Sequence, residues 1–397
     1  MIGVVYLIGS LARAGAARHL LQLVRALDRS RFEPRVVCLS EPGELAGDFR
    51  AARVAVADLA VPSIRHPLFL PRLSRLLTAL RRPRPEVLHT YLFPSNVFGA
   101  LAGRAARVPV VITSRRSMSE IDTARQVLAY RLTNWAADRI VAVSEAAARS
   151  AARREGQPVG RYSVIENGIE IAPYMQGRDP GLKKRLFGLQ DAEPLVGLVS
   201  NFRAVKGHED FLEMARLLRE SGSRARFLIV GDGPGRREAE ERVAARGLGE
   251  AFIFAGLRED IPDVLRCLDV FVYPSHSEGI SNALMEAMAA GCPIVAARCE
   301  GNEILLGRSG RLVPPGDPST LARETARLLE NRSEASELGD AAQQRARKEF
   351  TAERMARAFE GLYMDCLRAR GVVPANHPAA PGARMAGGGG AGAGGAA

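Results

Sequence analysis

An apolar, strand-like run ends at Pro274 and gives way to Ser275-His276-Ser277-Glu278-Gly279-Ile280-Ser281-Asn282, after which a helical pattern runs to Gly291 with Pro293 beyond. Ser281 and Asn282 suit a helix N-cap, and Gly291 and Pro293 suit a helix stop. Backbone N–H groups of residues 279–283 would then lie at the positive end of a helix dipole, an arrangement that binds phosphate. Two carboxylates bracket it: Glu278 before the helix and Glu286 inside it. Carboxylates are poor phosphate ligands but good acceptors for sugar hydroxyls. The pattern therefore suits a molecule that carries phosphates between two sugars.

Cations come from Arg203 and Lys206, in the segment Asn201-Phe202-Arg203-Ala204-Val205-Lys206-Gly207-His208 that follows the apolar run Leu195–Ser200. Arginine grips phosphate through several N–H groups, and lysine acts as a compact charge beside it. Gly231-Asp232-Gly233-Pro234, after Arg226–Val230, could line a nucleotide pocket; a plain Gly/Pro turn explains it equally well.

These segments need elements to hold them. Val- and Ile-rich runs recur at Gly3–Ile8, Glu86–His89, Val108–Thr113, Arg139–Val143, Leu195–Ser200, Arg226–Val230, Phe252–Ala255, Val270–Tyr273 and Pro293–Ala297, each followed by a helical pattern. Such alternation predicts parallel sheets covered on both faces. A chain of 397 residues exceeds what one core usually serves, so two doubly wound domains are expected. The predicted division is 1–172, 173–350, a C-terminal helix at 351–370, and a flexible low-complexity tail at 371–397. A ligand would bind at the carboxyl ends of the strands, in the cleft between the domains.

Charge is unevenly spread. Residues 1–175 hold 25 Arg and no Lys against 14 Asp and Glu, so the whole net excess of +11 lies there. Arg65, Arg72, Arg75, Arg81, Arg82 and Arg84 alternate with leucines and Phe69, which reads either as a basic amphipathic helix on an anionic membrane or as a half-buried helix. Nucleic acid is not expected, because no aromatic stacking motif accompanies the charge. Five scattered cysteines support neither a disulfide framework nor a zinc site. The apolar start Met1–Tyr6 lacks a basic leader and reads as a first strand, and no run is long enough to span a membrane. A cytoplasmic protein with peripheral contact to the inner face of the cell membrane is the expectation.

The stretch Ser277–Ala296, with Glu278 and Glu286 at its heart, is similar to the signature of family 4 retaining glycosyltransferases of the GT-B fold (glycosyltransferase group 1). Companion segments resemble that family in the same order: Gly15–Arg18, Val143–Glu145, Val164–Ile169, Lys206–His208, Val230–Pro234 and Gly310–Asp317. The resemblance spans residues 3–365. It implies an α/β GT-B architecture, two Rossmann-like doubly wound domains facing each other across a cleft. It also implies a retaining hexosyl transfer from a nucleotide sugar, UDP-linked by family frequency, to a lipid-linked, cell-envelope glycan or small-molecule acceptor. The nucleotide sugar is a co-substrate, and no separate cofactor is expected. By position, the resemblance places Glu278 at the transferring sugar and Glu286 at the ribose, with Gly231, Gly279, Ile280, Ser281 and Asn282 around the donor and Gly15 beside its phosphates. Arg203 and Lys206 would neutralise the departing diphosphate. The absence of an Asp-x-Asp pair predicts transfer without a divalent ion.

Four positions depart from the family pattern. Ala14 and Ala17 stand where Gly and Glu are common, Asn201 occupies the usual Arg position, and His89-Thr90-Tyr91 replaces a His-Ala-His segment. The contact to the reacting sugar would then fall to Tyr91 or His89, and Arg115 or Arg116 would touch acceptor or phosphate. The alternative is a degenerate GT-B protein that serves as a binding or scaffold module. A nicotinamide dehydrogenase would need a G-x-G-x-x-G turn after the first strand, where only Gly9 and Gly15 occur.

Overall fold

Seven runs of the first half form one parallel sheet, its central strands apolar on both faces and joined by helical crossovers. They are β1 (Ile2–Ile8), β2 (Phe32–Cys38), β3 (Ala55–Asp58), β4 (Val87–Tyr91), β5 (Val110–Arg115), β6 (Arg139–Ala142) and β7 (Tyr162–Val164). Their spatial order is β7-β6-β5-β4-β1-β2-β3. Six more, β8 (Leu195–Val199), β9 (Arg226–Val230), β10 (Phe252–Gly256), β11 (Val270–Tyr273), β12 (Ile294–Ala297) and β13 (Arg311–Val313), form a second parallel sheet in the order β10-β9-β8-β11-β12-β13. Both are doubly wound, with order reversing between β1 and β4 and between β8 and β11, and ligands of such sheets bind at the carboxyl ends beside those reversals. The computed structural model describes residues 1–60, 69–116, 123–177, 179–372 and 384–385, with backbone alone at 69–73 and 384–385.

Two units result: Met1–Gly168 together with the chain from Ala352 onward, and Ile169–Thr351. The helix Ala352–Ala369 thus belongs to the first unit and is no free appendage. Its apolar stripe, Met355, Phe359, Leu362, Tyr363 and Leu367, enters the core that Val4, Tyr6, Ile8, Leu20 and Leu23 build on one face of the sheet. Burying each such side chain contributes roughly 1.5–3 kcal/mol, which ties a distant segment to β1. Of the tail, Arg384–Met385 pairs antiparallel with β7 as a two-residue strand; the flexibility expected for the rest lies outside the described residues.

The basic helix forms over Phe69–Arg81. Leu76 and Leu80 are fully buried in the core on the other sheet face, with Val5, Leu7, Leu88 and Ala100, whereas Arg75, Arg81, Arg82 and Arg84 are exposed. The described part of its apolar face is therefore used by its own unit, as the half-buried reading expects; Arg65 and the side chains of residues 69–73 lie outside the described residues. The exposed apolar surface sits elsewhere. Leu128 and Leu132, on the helix Ala124–Thr133, and Trp135 just beyond it are 56%, 65% and 65% exposed.

Candidate active site

In the second unit, β8 and β11 lie side by side at the reversal of strand order, so the loops that leave them meet. The loop after β8 closes with the 3-10 turn Ala204–Lys206 and then Gly207, whose φ of +70° opens the helix His208–Glu220. A Cβ at Gly207 would lie 2.1 Å from the carbonyl oxygen of Pro274, so only glycine permits this approach of the two loops. Gly231 makes the matching contact after β9, with φ +141° and space for a Cβ only 1.9 Å from the oxygen of Ser200. Its observed work is to seat the β8 loop.

That approach brings Lys206 to Glu278. Lys206 Nζ donates to Glu278 Oε1 and to the hydroxyl of Tyr273, the latter at 3.2 Å. Tyr273 in turn donates to Glu278 Oε1 at 2.8 Å and accepts from Ser281 Oγ at 2.9 Å. Ser275 Oγ lies 2.8 Å from the same carboxylate oxygen. Ser281 also caps the helix Asn282–Ala289, accepting from the Leu284 amide at 3.3 Å. One network therefore runs from cation to carboxylate to phenol to helix cap. Burial, then the neighbouring Glu278 carboxylate, hold the Tyr273 hydroxyl well above the usual phenol range, so it remains a donor.

The cap serves only Leu284, and helix geometry leaves the amides of the first turn without intrahelical acceptors. The N-terminal, positive end of this helix therefore adjoins the turn Gly279–Ser281, where the phosphate contact is expected. Glu286 lies inside that helix, on its buried side. Sequence reasoning missed Tyr273 and Ser275; the signal was Tyr273's place as the last residue of a strand directly before the polar turn.

Arg203, expected beside Lys206 at the leaving diphosphate, stands outside this network. Its side chain is exposed and shares no hydrogen bond or ion pair with Lys206 or Glu278 among the described residues. It lies along a groove with Phe202, His208, Glu209, Glu238 and Arg242, between the helices His208–Glu220 and Arg236–Ala245.

In the first unit, three expected site residues are placed inside the core. His89 is fully buried, with Nδ1 2.7 Å from the Tyr363 hydroxyl and Nε2 2.7 Å from Ser114 Oγ. Burial, aided by the charge of Arg116, lowers its pKa to about 3, so the ring is neutral and both nitrogens are engaged. This packing job replaces the expected catalytic one. Arg115 is likewise committed: Nε and Nη2 bond the Glu155 carboxylate at 2.6 and 2.8 Å, Nη2 also bonds Asn134, and its guanidinium carbon stands 3.7 Å from the Tyr130 ring centre. The acceptor contact expected of it is thereby overturned. Tyr91 is buried beneath the carboxyl edge of the sheet with its hydroxyl unbonded. Gly15 opens the helix Gly15–Ala26, whose N-cap, Ala14, offers no side-chain acceptor. A Cβ at Gly15 would touch nothing.

Residues 13–172 match the family model described as Glycosyltransferase Family 4, and residues 193–331 match that for Glycosyl transferases group 1. The chain is 31% identical to the 2-deoxystreptamine glucosyltransferase of Streptomyces kanamyceticus, covering 79% of this chain and 89% of that one. It is 24% identical to the UDP-Gal:alpha-D-GlcNAc-diphosphoundecaprenol alpha-1,3-galactosyltransferase of Escherichia coli, covering 80% and 86%. Its fold is similar to that of Anabaena HepE, solved in complex with UDP and glucose, with a TM-score of 0.82 at 21% identity, over 92% of this chain and all of that one. Two doubly wound sheets in the GT-B order of elements, a Ser281-capped helix after β11, and these likenesses over both halves lead to one conclusion: the chain belongs to the family 4, group 1 glycosyltransferases, enzymes that use nucleotide-sugar donors.

Proposed function

We propose that the protein moves a hexosyl group from a UDP-linked donor to a lipid-linked or cell-envelope glycan acceptor, with retention of anomeric configuration and without a divalent ion. The observation that carries this reading is the joined set of Lys206, Glu278 and the Ser281-capped helix end at the strand-order reversal of the second unit. In it, the amides of residues 279–283 hold the diphosphate, and Glu286 accepts from the ribose hydroxyls. Lys206 turns from Glu278 toward the leaving phosphate as negative charge grows there, and the released Glu278 accepts from a sugar hydroxyl. Catalysis then rests on positioning and on charge stabilisation by preorganised donors, and no strong side-chain base is required. UDP is favoured by the donor in the relative's name and by the ligand of the similar structure. The scaffold alternative draws on the departures at Ala14, Ala17 and Tyr91, and the joined Lys206, Glu278 and Ser281 favour the enzyme reading over it.

The membrane part of the reading now rests on the surface around the helix Ala124–Thr133. No helix among the described residues is long and apolar enough to cross a membrane. Exposed Leu128, Leu132 and Trp135, with Arg125 and Arg131 on the same helix and Arg154 beside Leu128, suit the headgroup boundary of an anionic leaflet. Acceptors with a diphospholipid anchor, as in the name of the Escherichia coli relative, would be presented there. The deciding experiment incubates the protein with UDP-glucose, UDP-galactose or UDP-N-acetylglucosamine and a lipid-diphosphate-linked sugar, with EDTA present, and reads product anomer by NMR. An α-linked product supports the proposal; a β-linked product, or dependence on an added divalent ion, rejects the corresponding part.

A further inference from the structure

At the strand-order reversal of the first unit, between β1 and β4, polar groups are buried with nothing to bond. His19, on the helix that follows β1, is 1% exposed, and neither ring nitrogen has a partner. Tyr91, the last residue of β4, is fully buried and its hydroxyl has none. Arg116, one residue past β5, donates from Nη2 to Asn167 Oδ1 at 2.6 Å, while its buried Nε and Nη1 have no partner. No acidic side chain among the described residues pairs with it. The three form one cluster: the His19 and Tyr91 ring centres are 5.9 Å apart, and the Arg116 guanidinium carbon is 5.9 Å from the Tyr91 ring.

Bare buried polar groups carry a desolvation penalty that nothing in the chain offsets, and an unpaired guanidinium carries the largest. The neighbouring residue shows the contrast. Where arginine serves structure alone, at Arg115, the chain supplies Glu155, Asn134 and an aromatic face. Around Arg116 it supplies one amide oxygen and the Tyr91 ring but no carboxylate, at the carboxyl end of a doubly wound sheet where ligands bind.

We propose that His19, Tyr91 and Arg116 form an oxyanion subsite for the acceptor, so that the acceptor carries a phosphoryl or carboxylate group. The inference rests on the glycosyltransferase reading above and names the class of its second substrate. Arg116 supplies the charge, and the Tyr91 hydroxyl and one His19 N–H supply directed hydrogen bonds. Burial and the charge of Arg116 keep His19 neutral, burial keeps the Tyr91 proton in place, and Arg116, brought down to about 10 by burial, is still cationic at neutral pH. An amine-bearing acceptor meets Arg116 as a like charge and is selected against.

The test is calorimetric titration of the full chain with glycerol 3-phosphate and with glycerol. In parallel, flotation uses phosphatidylcholine vesicles carrying undecaprenyl phosphate, against vesicles of equal charge carrying phosphatidylglycerol. Binding of glycerol 3-phosphate but not glycerol places the anion on a soluble acceptor; preference for undecaprenyl phosphate vesicles places it on a lipid; either supports the subsite. Arg116→Gln should weaken the phosphate-bearing probe by about tenfold or more, since it removes one partner of a buried charge pair. Tyr91→Phe should weaken it about threefold to tenfold. Because the Tyr91 hydroxyl has no partner to lose, the unfolding temperature of Tyr91→Phe should not fall, which separates a ligand contact from a structural one. Phosphate probes that bind no better than uncharged ones, or an Arg116→Gln protein equal to wild type, overturn the proposal. UDP binding is followed separately: a wild-type chain that binds glycerol 3-phosphate but not UDP loses the donor reading and keeps the subsite.

Discussion

Lys206 and Glu278 stand 72 residues apart in the chain, and their side chains meet in an ion pair that Tyr273 and Ser275 share. Both are mostly buried, at 17% and 11% side-chain exposure. The pair therefore holds the lysine in the network that reaches the Ser281-capped helix end, without leaving a buried charge unbalanced. Lys206→Ala should lower kcat by ~10²-fold or more, as loss of a preorganised donor to a developing anion does. Arg203→Ala, at an exposed position apart from this network, should cost less than about tenfold by the same measure. Steady-state kinetics with a UDP-sugar donor decides, and an unaltered kcat in Lys206→Ala would remove the role given to it.

Glu286 sits one turn into the helix that Ser281 caps, on its buried side. If it accepts from ribose hydroxyls, Glu286→Ala should weaken UDP binding while the capped helix persists. Thermal shift reads this directly, because a ligand that binds only the folded chain stabilises it by RT ln(1 + [L]/Kd). A tenfold weaker Kd reduces that gain by about 1.4 kcal/mol at saturating UDP. An equal shift in both proteins would take Glu286 out of the nucleotide site.

Much of this was readable from residue order. The strands that carry the site, β1, β4, β5, β8, β9 and β11, are apolar runs next to helical patterns, and Ser281 and Gly291 mark their helix as written. Missed were β2, β3, β7 and β13. Pro34, Glu33 and Arg35 interrupt the apolar signal of β2, and the four residues of β3 form a largely exposed edge. β7 and β13 have three residues each, too few to show a period. The partner of Lys206 was hidden because the loops meet through strand order, a tertiary fact. The choice between Arg115 and Arg116 was hidden for a simpler reason. Successive residues of a strand face opposite sides, so one turns to Glu155 and the other to Asn167, and only sheet packing decides which side holds a carboxylate.

Arg115 and Glu155 are 3% and 1% exposed, and the same carboxylate also bonds Asn134 and Tyr162. Removing one partner of such a pair leaves an uncompensated buried charge. Glu155→Gln should therefore destabilise the first unit by about 3–5 kcal/mol, visible as a lower midpoint in urea. Donor and acceptor KM should hold in whatever fraction stays folded. A stable Glu155→Gln protein with an altered acceptor KM would return Arg115 to the substrate.

Acid should loosen the first unit before it titrates most carboxylates. Burial, and then the charge of Arg116, bring His89 down to about 3 and hold His19 well below the usual imidazole range. In the unfolded chain both rings titrate near pH ~6.5. Between those values the unfolded state binds protons that the folded state refuses. The stability they protect is therefore whole above about pH 6.5 and is lost as pH falls toward the folded values. Each ring adds a slope of up to ~1.4 kcal/mol per pH unit within that window. Urea unfolding at pH 7, 6 and 5 should show a falling midpoint. His19→Gln should flatten the dependence by the share of one proton, because the native ring has no hydrogen bond to lose, whereas His89→Gln also breaks the contacts to Ser114 and Tyr363. A midpoint that stays level from pH 7 to pH 5 would mean that both imidazoles take up protons in the folded chain, and that the cluster beside Arg116 is open to water.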